Sequence, residues 1–230
     1  MAKSMAWSFS RLNDFENCPK MFHSKYILKE WPKEDNSPHL IKGRRVHDKM
    51  EVALKKMQIT LGGEYDDEIF PMVPVLQKIV AHAQNNNGEI YTELQKALTD
   101  KLSACSWFDK QTWVRAIFDV LIMYKDSALV IDWKTGKPSE DKGQLALFAA
   151  VVMALYPKIQ SVTTSYVFID HNKTVSKRFT RDQYEDLWHE FGDRAELIQI
   201  AVESGEWRAT PNRRNCKWCK VRECEYKGGY

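Results

Sequence analysis

Apolar residues along this chain first recur with a helical period and then with a period of two. From about His39 to Met57, the positions Gly43, Val46, His47, Met50, Leu54 and Met57 stand at spacings of mostly three and four, which predicts an amphipathic helix. Before it, Ser8 or Ser10 can cap a short helix through Asn17, and Pro19 suits a first helical turn beyond. A loop through Gly62-Gly63 leads to a helix from about Pro71 to Gln84, ended by Asn85-Asn86-Asn87-Gly88. Alternation then predicts strands near Glu89–Leu98, Ser103–Asp109, Thr112–Tyr124 and Ala128–Trp133. A helix from about Lys142 to Leu155 is stopped by Pro157. Ser161–Asp170 and Thr174–Phe179 alternate around a His171-Asn172-Lys173 turn, and Thr180 with Gln183 forms a capping box opening a helix to about Ser204. The tail beyond Trp207 is basic, cysteine-rich and without a period.

Helices, then three or four strands, a helix, two strands and a helix make a mixed α/β fold, a central sheet flanked by helices. With 230 residues and 43% apolar content, one large domain is expected over 1–230. It divides into an N-terminal helical part (1–88), a core (89–204) and a cysteine-rich tail (205–230). Basic residues outnumber acidic ones only 34 to 31, so any nucleic-acid surface must be local. The stretch from Met1 to Trp7 is too short and too interrupted for a signal peptide or a span, so a soluble, cytoplasmic protein with no membrane partner is expected.

Two apolar runs, TWVRAIFDVLIMY and ALVIDWKTG, carry charges where a core strand does not tolerate them unpartnered. Period two puts Asp132 and Lys134 on one face, about 6–7 Å apart, with Asp119 on the neighbouring strand. Two carboxylates and an ammonium at a strand end suit a hard divalent cation and the water it activates, a chemistry that cuts phosphodiesters. The plainer alternatives are a buried Asp119–Arg115 ion pair, a turn-capping Asp132 and a Lys134 reaching to solvent. Glu93 reads equally as an acidic site residue or as half of a cross-strand salt bridge. The cysteines are also uneven. Cys216, Cys219 and Cys224 crowd the end of the chain, Cys18 lies near its start and Cys105 stands apart. In an intracellular protein such clustering points to metal, and four thiolates suit zinc or an iron–sulfur cluster.

Gly43-x-x-x-His47, then Asp119, Asp132-x-Lys134 and Gln144-x-x-x-Phe148, in that order, resemble the PD-(D/E)XK nuclease superfamily. The nearest branch is that of RecB-like, AddB-type and CRISPR-adaptation exonucleases, and the resemblance runs from Ser8 to Cys224. It implies the restriction-endonuclease-like core and a catalytic set of Asp119, Asp132, Lys134 and Gln144. It also implies a magnesium or manganese ion held by His47, Asp119, Asp132 and the Trp133 carbonyl. It favours a [4Fe–4S] cluster on Cys18, Cys216, Cys219 and Cys224 over a zinc ion. Phe148 stands where the family usually has tyrosine.

The activity so implied is metal-dependent DNA exonuclease action in recombination, repair or viral DNA processing, in the host cytoplasm if the source is viral. Its substrate would be DNA with a free end, single-stranded or resected, and a recombination or replication protein would be its partner. The alternatives are a catalytically weak nucleic-acid-binding scaffold of the same fold and a structure-specific endonuclease. Arg44, Arg45, Lys137 and Phe148 are candidate DNA contacts. Arg208, Arg213, Arg214 and Lys217 form a basic cluster, and Trp133, Phe148 and Trp218 are candidate stacking rings.

Overall fold

The computed structural model describes residues 5–31, 37–59, 65, 67–138 and 142–228. Six strands form one sheet in the order β2-β1-β3-β4-β5-β6. They are β1 (Glu89–Thr99), β2 (Ala104–Cys105), β3 (Thr112–Met123), β4 (Ser127–Lys134), β5 (Ser161–Phe168) and β6 (Lys173–Thr180). Five-residue or shorter turns join most neighbours antiparallel, whereas β4 and β5 run parallel. A parallel pair needs a crossover, and helix α5 (Gly143–Leu155) supplies it.

Helices cover both faces. On one, Val46, Met50 and Leu54 of α3 (Pro38–Ile59) and Leu76 and Val80 of α4 (Val73–Asn85) pack on Val120, Ile122, Ile131 and Trp133. On the other, α1 (Phe9–Asn17), α5 and α6 (Tyr184–Ser204) bury Leu12, Phe15, Leu145–Met153 and Phe191 against Val114, Phe118, Leu121 and Val130. All nine residues Leu145–Met153 of α5 are buried, as befits a helix that is apolar all round and lies between sheet and helices. Its carbonyl end is closed by one side chain. Arg181 donates to the carbonyls of Met153 and Tyr156 at 3.0 Å each and of Ile159 at 2.9 Å.

The two ends of the described chain meet. The Trp7 N–H donates to the Trp113 carbonyl at 2.8 Å and the Trp7 carbonyl accepts from Arg115 N–H at 2.9 Å, a parallel bridge along β3. After Pro19–Phe22 (α2) and a π-helical turn at His23–Ile27, Trp207 returns to stack on His23 with centroids 4.6 Å apart. Lys20 pairs with Glu225 at 2.8 Å, and Arg194 forks onto Glu16. Among the described residues no helix is long and apolar enough to cross a membrane.

The fold agrees with the sequence expectation of a mixed α/β core, with local corrections. The strand expected over Ser103–Asp109 is only Ala104–Cys105. Asp109 ends it by accepting from Thr112 N–H at 3.2 Å and, through its side chain, from Gln111 N–H at 2.8 Å. The tail is not wholly irregular, since α7 (Arg213–Cys216) forms a turn whose N-cap Asn212 accepts from Asn215 N–H. Ser8 precedes α1 but its hydroxyl does not cap, meeting Ser10 instead at 3.1 Å. The Thr180–Gln183 capping box is present, and Gly205 ends α6 at φ 71°, a conformation costly to any other residue. Gly62-Gly63 lies outside the described residues.

Arg181→Met should lower stability by roughly 2–4 kcal/mol, because three carbonyls lose their donor together. Urea unfolding would register this as a lower midpoint with an unchanged slope; an unchanged midpoint would mean that solvent caps α5 equally well.

Candidate active site

The β3–β4 ladder runs from Met123↔Ala128 only as far as Val120↔Ile131. Beyond that rung the strands part, β3 staying with β1 and β4 with β5. The parting leaves both peptide groups of Trp133 without a strand partner on that side, and buried peptide groups are rarely left so. Side chains take them. Asp119 Oδ2 accepts from Trp133 N–H at 2.8 Å, and the Trp133 carbonyl lies 2.9 Å from His47 Nε2. The other imidazole nitrogen, Nδ1, stands 3.4 Å from Asp119 Oδ2. Helix α3 passes close to the end of β4 at Gly43, where a Cβ would stand at an ordinary contact distance of 3.4 Å from Thr135 Oγ1.

The pleat of both flanking strands inverts at this point. Val114, Ala116 and Phe118 face the α5 core, but Val120 and Ile122, of the same parity, face the α3 core. On β1, Leu94 and Ile90 switch cores in the same way. Between them, opposite Asp119, Glu93 adopts φ 47°. A left-handed residue inside a strand costs about 1–3 kcal/mol and persists where the surroundings enforce it. The kink brings the Glu93 carboxylate to His47 and Asp119. Among the described residues these three form the one group of metal-binding type whose donor atoms lie within 4.8 Å of one another.

Asp132 and Lys134 share a face of β4, as period two requires. Lys134 Nζ lies 2.5 Å from Asp132 Oδ2 and donates to Gln144 Oε1 at 3.0 Å, while Gln144 Nε2 donates to Asp132 Oδ1 at 3.2 Å. Asp132 Oδ2 is buried and ion-paired with the Lys134 ammonium. A buried carboxylate, with the donor atoms of His47, Glu93 and Asp119 grouped nearby, fits a divalent cation.

Charge crowding is visible in the titration of these groups. Burial pushes the Asp132 carboxyl up to about 6; the Asp119 charge adds to this, and Lys134 and His47 oppose it. Burial works to lower His47, but its contact with Asp119, the charges of Asp119 and Asp132 and the Trp133 carbonyl raise it on balance. Glu93 is raised by desolvation and by Asp119, with His47 opposing.

Thus Asp119, Asp132, Lys134, Gln144 and His47 are brought together, and Glu93, which sequence left undecided, joins them. Arg115 is not the partner of Asp119; it donates to the Trp107 carbonyl at 2.9 Å. Two further expectations are corrected. Phe148 and Trp133 are each only 2% exposed and fill opposite cores, so neither offers a ring face for stacking, although the edge of Phe148 lines the cleft beside α1. Arg45 forks onto Glu68 at 2.6 and 3.0 Å, whereas Arg44 and Lys137 are exposed. Trp218 is 73% exposed.

Cys18, Cys216, Cys219 and Cys224 line one pocket where the two ends of the chain meet, and all are free thiols. Cys18 Sγ accepts from Thr210 N–H at 3.4 Å. Burial, and then the charges of the other three cysteines, push the Cys219 thiol up, against a backbone hydrogen bond. Cys105 lies elsewhere, 3.7 Å from Thr112 Oγ1.

A model of the PD-(D/E)XK nuclease superfamily matches residues 6–224. No curated protein matches the chain significantly. Two solved structures are similar at low identity. The protein SSO0001 aligns with 95% of this chain and 84% of its own, at 13% identity and TM-score 0.46. A protein from Eubacterium rectale, described only provisionally as an exonuclease, aligns with 95% and 86% at 14% identity and TM-score 0.49.

The raised carboxyl of Asp132 costs stability above pH about 6, where it must ionise, and no longer does so below its unfolded value near 4. The raised His47 acts the same way, since the stability it contributes is present below its unfolded value near 6.5 and fades as pH climbs through its folded one. A divalent cation bound among these groups would take the place of those protons. Manganese should therefore raise the melting temperature more at pH 7.5 than at pH 5, by several degrees, and Asp132→Asn should flatten that difference. Thermal melts in matched ionic strength measure it; a pH-independent manganese shift would contradict the assignment of these groups to the ion.

Proposed function

The chain belongs to the PD-(D/E)XK nuclease superfamily, whose members are hydrolases acting on nucleic acid, and from that premise we propose a metal-dependent deoxyribonuclease that degrades DNA from an end. The observation that carries the reading is the strand fork, where two carboxylates, an ion-paired lysine, a glutamine and a histidine gather at the end of β4. Asp119, Asp132, His47 and Glu93 would hold magnesium or manganese, with the Trp133 carbonyl within reach. When bound, the ion supplies Lewis acidity and a water of lowered pKa.

The remaining work falls to the chain. In hydrolysis a water oxygen bonds to phosphorus, the ester P–O bond breaks and the leaving oxygen gains a proton. Lys134 is held between Asp132 and Gln144, so its ammonium can orient that water and balance charge gathering on the phosphoryl oxygens. Gln144, at the start of α5, keeps both partners in place through one amide. Arg44 and Lys137, both exposed, would contact phosphates.

Action from an end follows from the likeness of His47 and the four cysteines to the RecB-like branch. It suits the processing of DNA ends in recombination, repair or viral DNA metabolism, within one nuclease domain acting in the cytoplasm. We assign the four-thiol pocket to a [4Fe–4S] cluster. The assignment rests on the likeness of the four cysteines to that branch; among the described residues no three of these sulfurs lie within 4.8 Å of one another.

Asp119→Ala and Asp132→Ala should each cut cleavage of end-labelled DNA by at least about a thousandfold while DNA binding persists. Lys134→Ala should be similarly impaired yet bind manganese in calorimetry. His47→Ala should weaken manganese-supported cleavage most, since imidazole suits manganese better than magnesium. Near-wild-type cleavage by both aspartate variants would remove the active-site assignment.

Protein purified without oxygen should be brown and carry about four iron and four sulfide per chain. Alanine at any one of Cys18, Cys216, Cys219 or Cys224 should bleach it and lower the melting temperature, whereas Cys105→Ala should do neither. Colourless protein holding one zinc would make the clasp a zinc site and leave the nuclease reading standing.

A further inference from the structure

A cleft of about 350 Å³ opens from the fork, with Gln144 as the residue it shares with the active site. Its walls carry the guanidinium groups of Arg11 and Arg115 and no carboxylate. That imbalance is unusual in a protein whose basic and acidic residues are nearly equal in number, and each arginine is fixed in place. Arg115 lies over the Trp107 ring, 5.3 Å from its centroid, and donates through Nε to the Trp107 carbonyl. Arg11 lies over Tyr26 at 4.9 Å and donates through Nη1 to the Ala6 carbonyl at 2.6 Å. Among the described residues neither has an anionic partner, so their other N–H groups are free to meet an incoming anion. Burial, and the charge of Arg115, both disfavour the Arg11 cation, although Tyr26 opposes them. An anion in the cleft would relieve both.

Beside these cations stands an exposed ring. Phe108 is 86% exposed at the turn before β3, 5.9 Å from the Arg115 guanidinium. A large apolar ring held in water beside an unpaired cation matches what a single-stranded polynucleotide offers, a base face next to a phosphate. The direction fits as well. Arg115, the 41%-exposed Ile117 and Asp119 occupy alternate positions of β3, and the first two line the cleft, so β3 runs from the cleft toward the carboxylate. Four residues of strand span roughly 13 Å. That is about four nucleotides at the stacked rise of 3.4 Å, and fewer in an extended strand.

Resting on the nuclease reading above, we propose that this cleft is the track of the substrate strand. Arg115 and Arg11 hold phosphates, and Phe108 stacks a base two to four nucleotides from the scissile bond. The occupant is single-stranded, since a paired base could not present its face to Phe108.

The test uses full-length protein with Arg115→Gln, Arg11→Gln and Phe108→Ser. The last alters an exposed side chain and leaves the core untouched. Each should raise KM for a long end-labelled oligothymidylate about tenfold, with kcat changed less than about threefold and manganese affinity unaltered. The penalty should shrink on a dinucleotide too short to reach the cleft. In calcium, with fluorescence anisotropy reporting binding, Arg115→Gln should flatten the log-affinity against log-salt slope by about 0.7, one phosphate contact to a single strand. Wild-type KM and salt slope in all three variants, with wild-type protein cleaving normally, would overturn the track. If wild-type protein fails to cleave, the nuclease reading falls. The calcium titration then decides the cleft alone, and unchanged binding by the variants would overturn it too.

Discussion

One hydrogen bond holds the architecture open: the carboxylate of Asp119 accepts the Trp133 N–H that a strand would otherwise have taken. Without it, β3 and β4 would either pair for another rung or leave a buried amide empty, at a cost of about 1–3 kcal/mol. Another rung would press Asp119 against Asp132 and close the cleft. The side chain ends the ladder and satisfies it at once. The histidine at the Trp133 carbonyl completes the same substitution from the opposite layer, so α3 is docked by polar as well as apolar contact.

The region around that bond is electrostatically unfinished. Three carboxylates, those of Glu93, Asp119 and Asp132, face one ammonium and one imidazole. Asp132 responds by holding its proton toward neutrality, and β1 is bent into an unfavourable backbone conformation to bring the third carboxylate in. Such arrangements lower the stability of the bare protein and become favourable once a cation sits among them.

Much of this was legible in sequence because it rests on periodicity. Period two placed Asp132 and Lys134 together, a helical turn placed His47 above Gly43, and an apolar run followed by proline located α5. Glu93 was undecidable, since its place depends on a left-handed kink that no residue type announces. Phe148 was misread as a stacking ring although its eight buried neighbours and itself form an unbroken apolar run, and a helix with no polar face has no exposed side. Trp133 failed for the opposite reason; alternation put it away from Asp132 and Lys134, hence inward. Arg11 belongs to a segment far along the chain from Trp107 and Arg115. Only the bridge from Trp7 to β3 gathers them, and pairing of that kind leaves no local signature.

The meeting of the chain's two ends bears on how the protein is made. A ribosome releases α1 and the π-helical turn long before Trp207 and Glu225, on which His23 and Lys20 settle. Phe15 and Phe22 wait through most of synthesis for α5, α6 and the tail that bury them. For that interval an aromatic-rich segment is exposed, and nascent chains in that state are what holding chaperones bind. Closure of the clasp thus awaits synthesis of the tail, and a chain released before Cys224 would lack part of what covers its early aromatic residues.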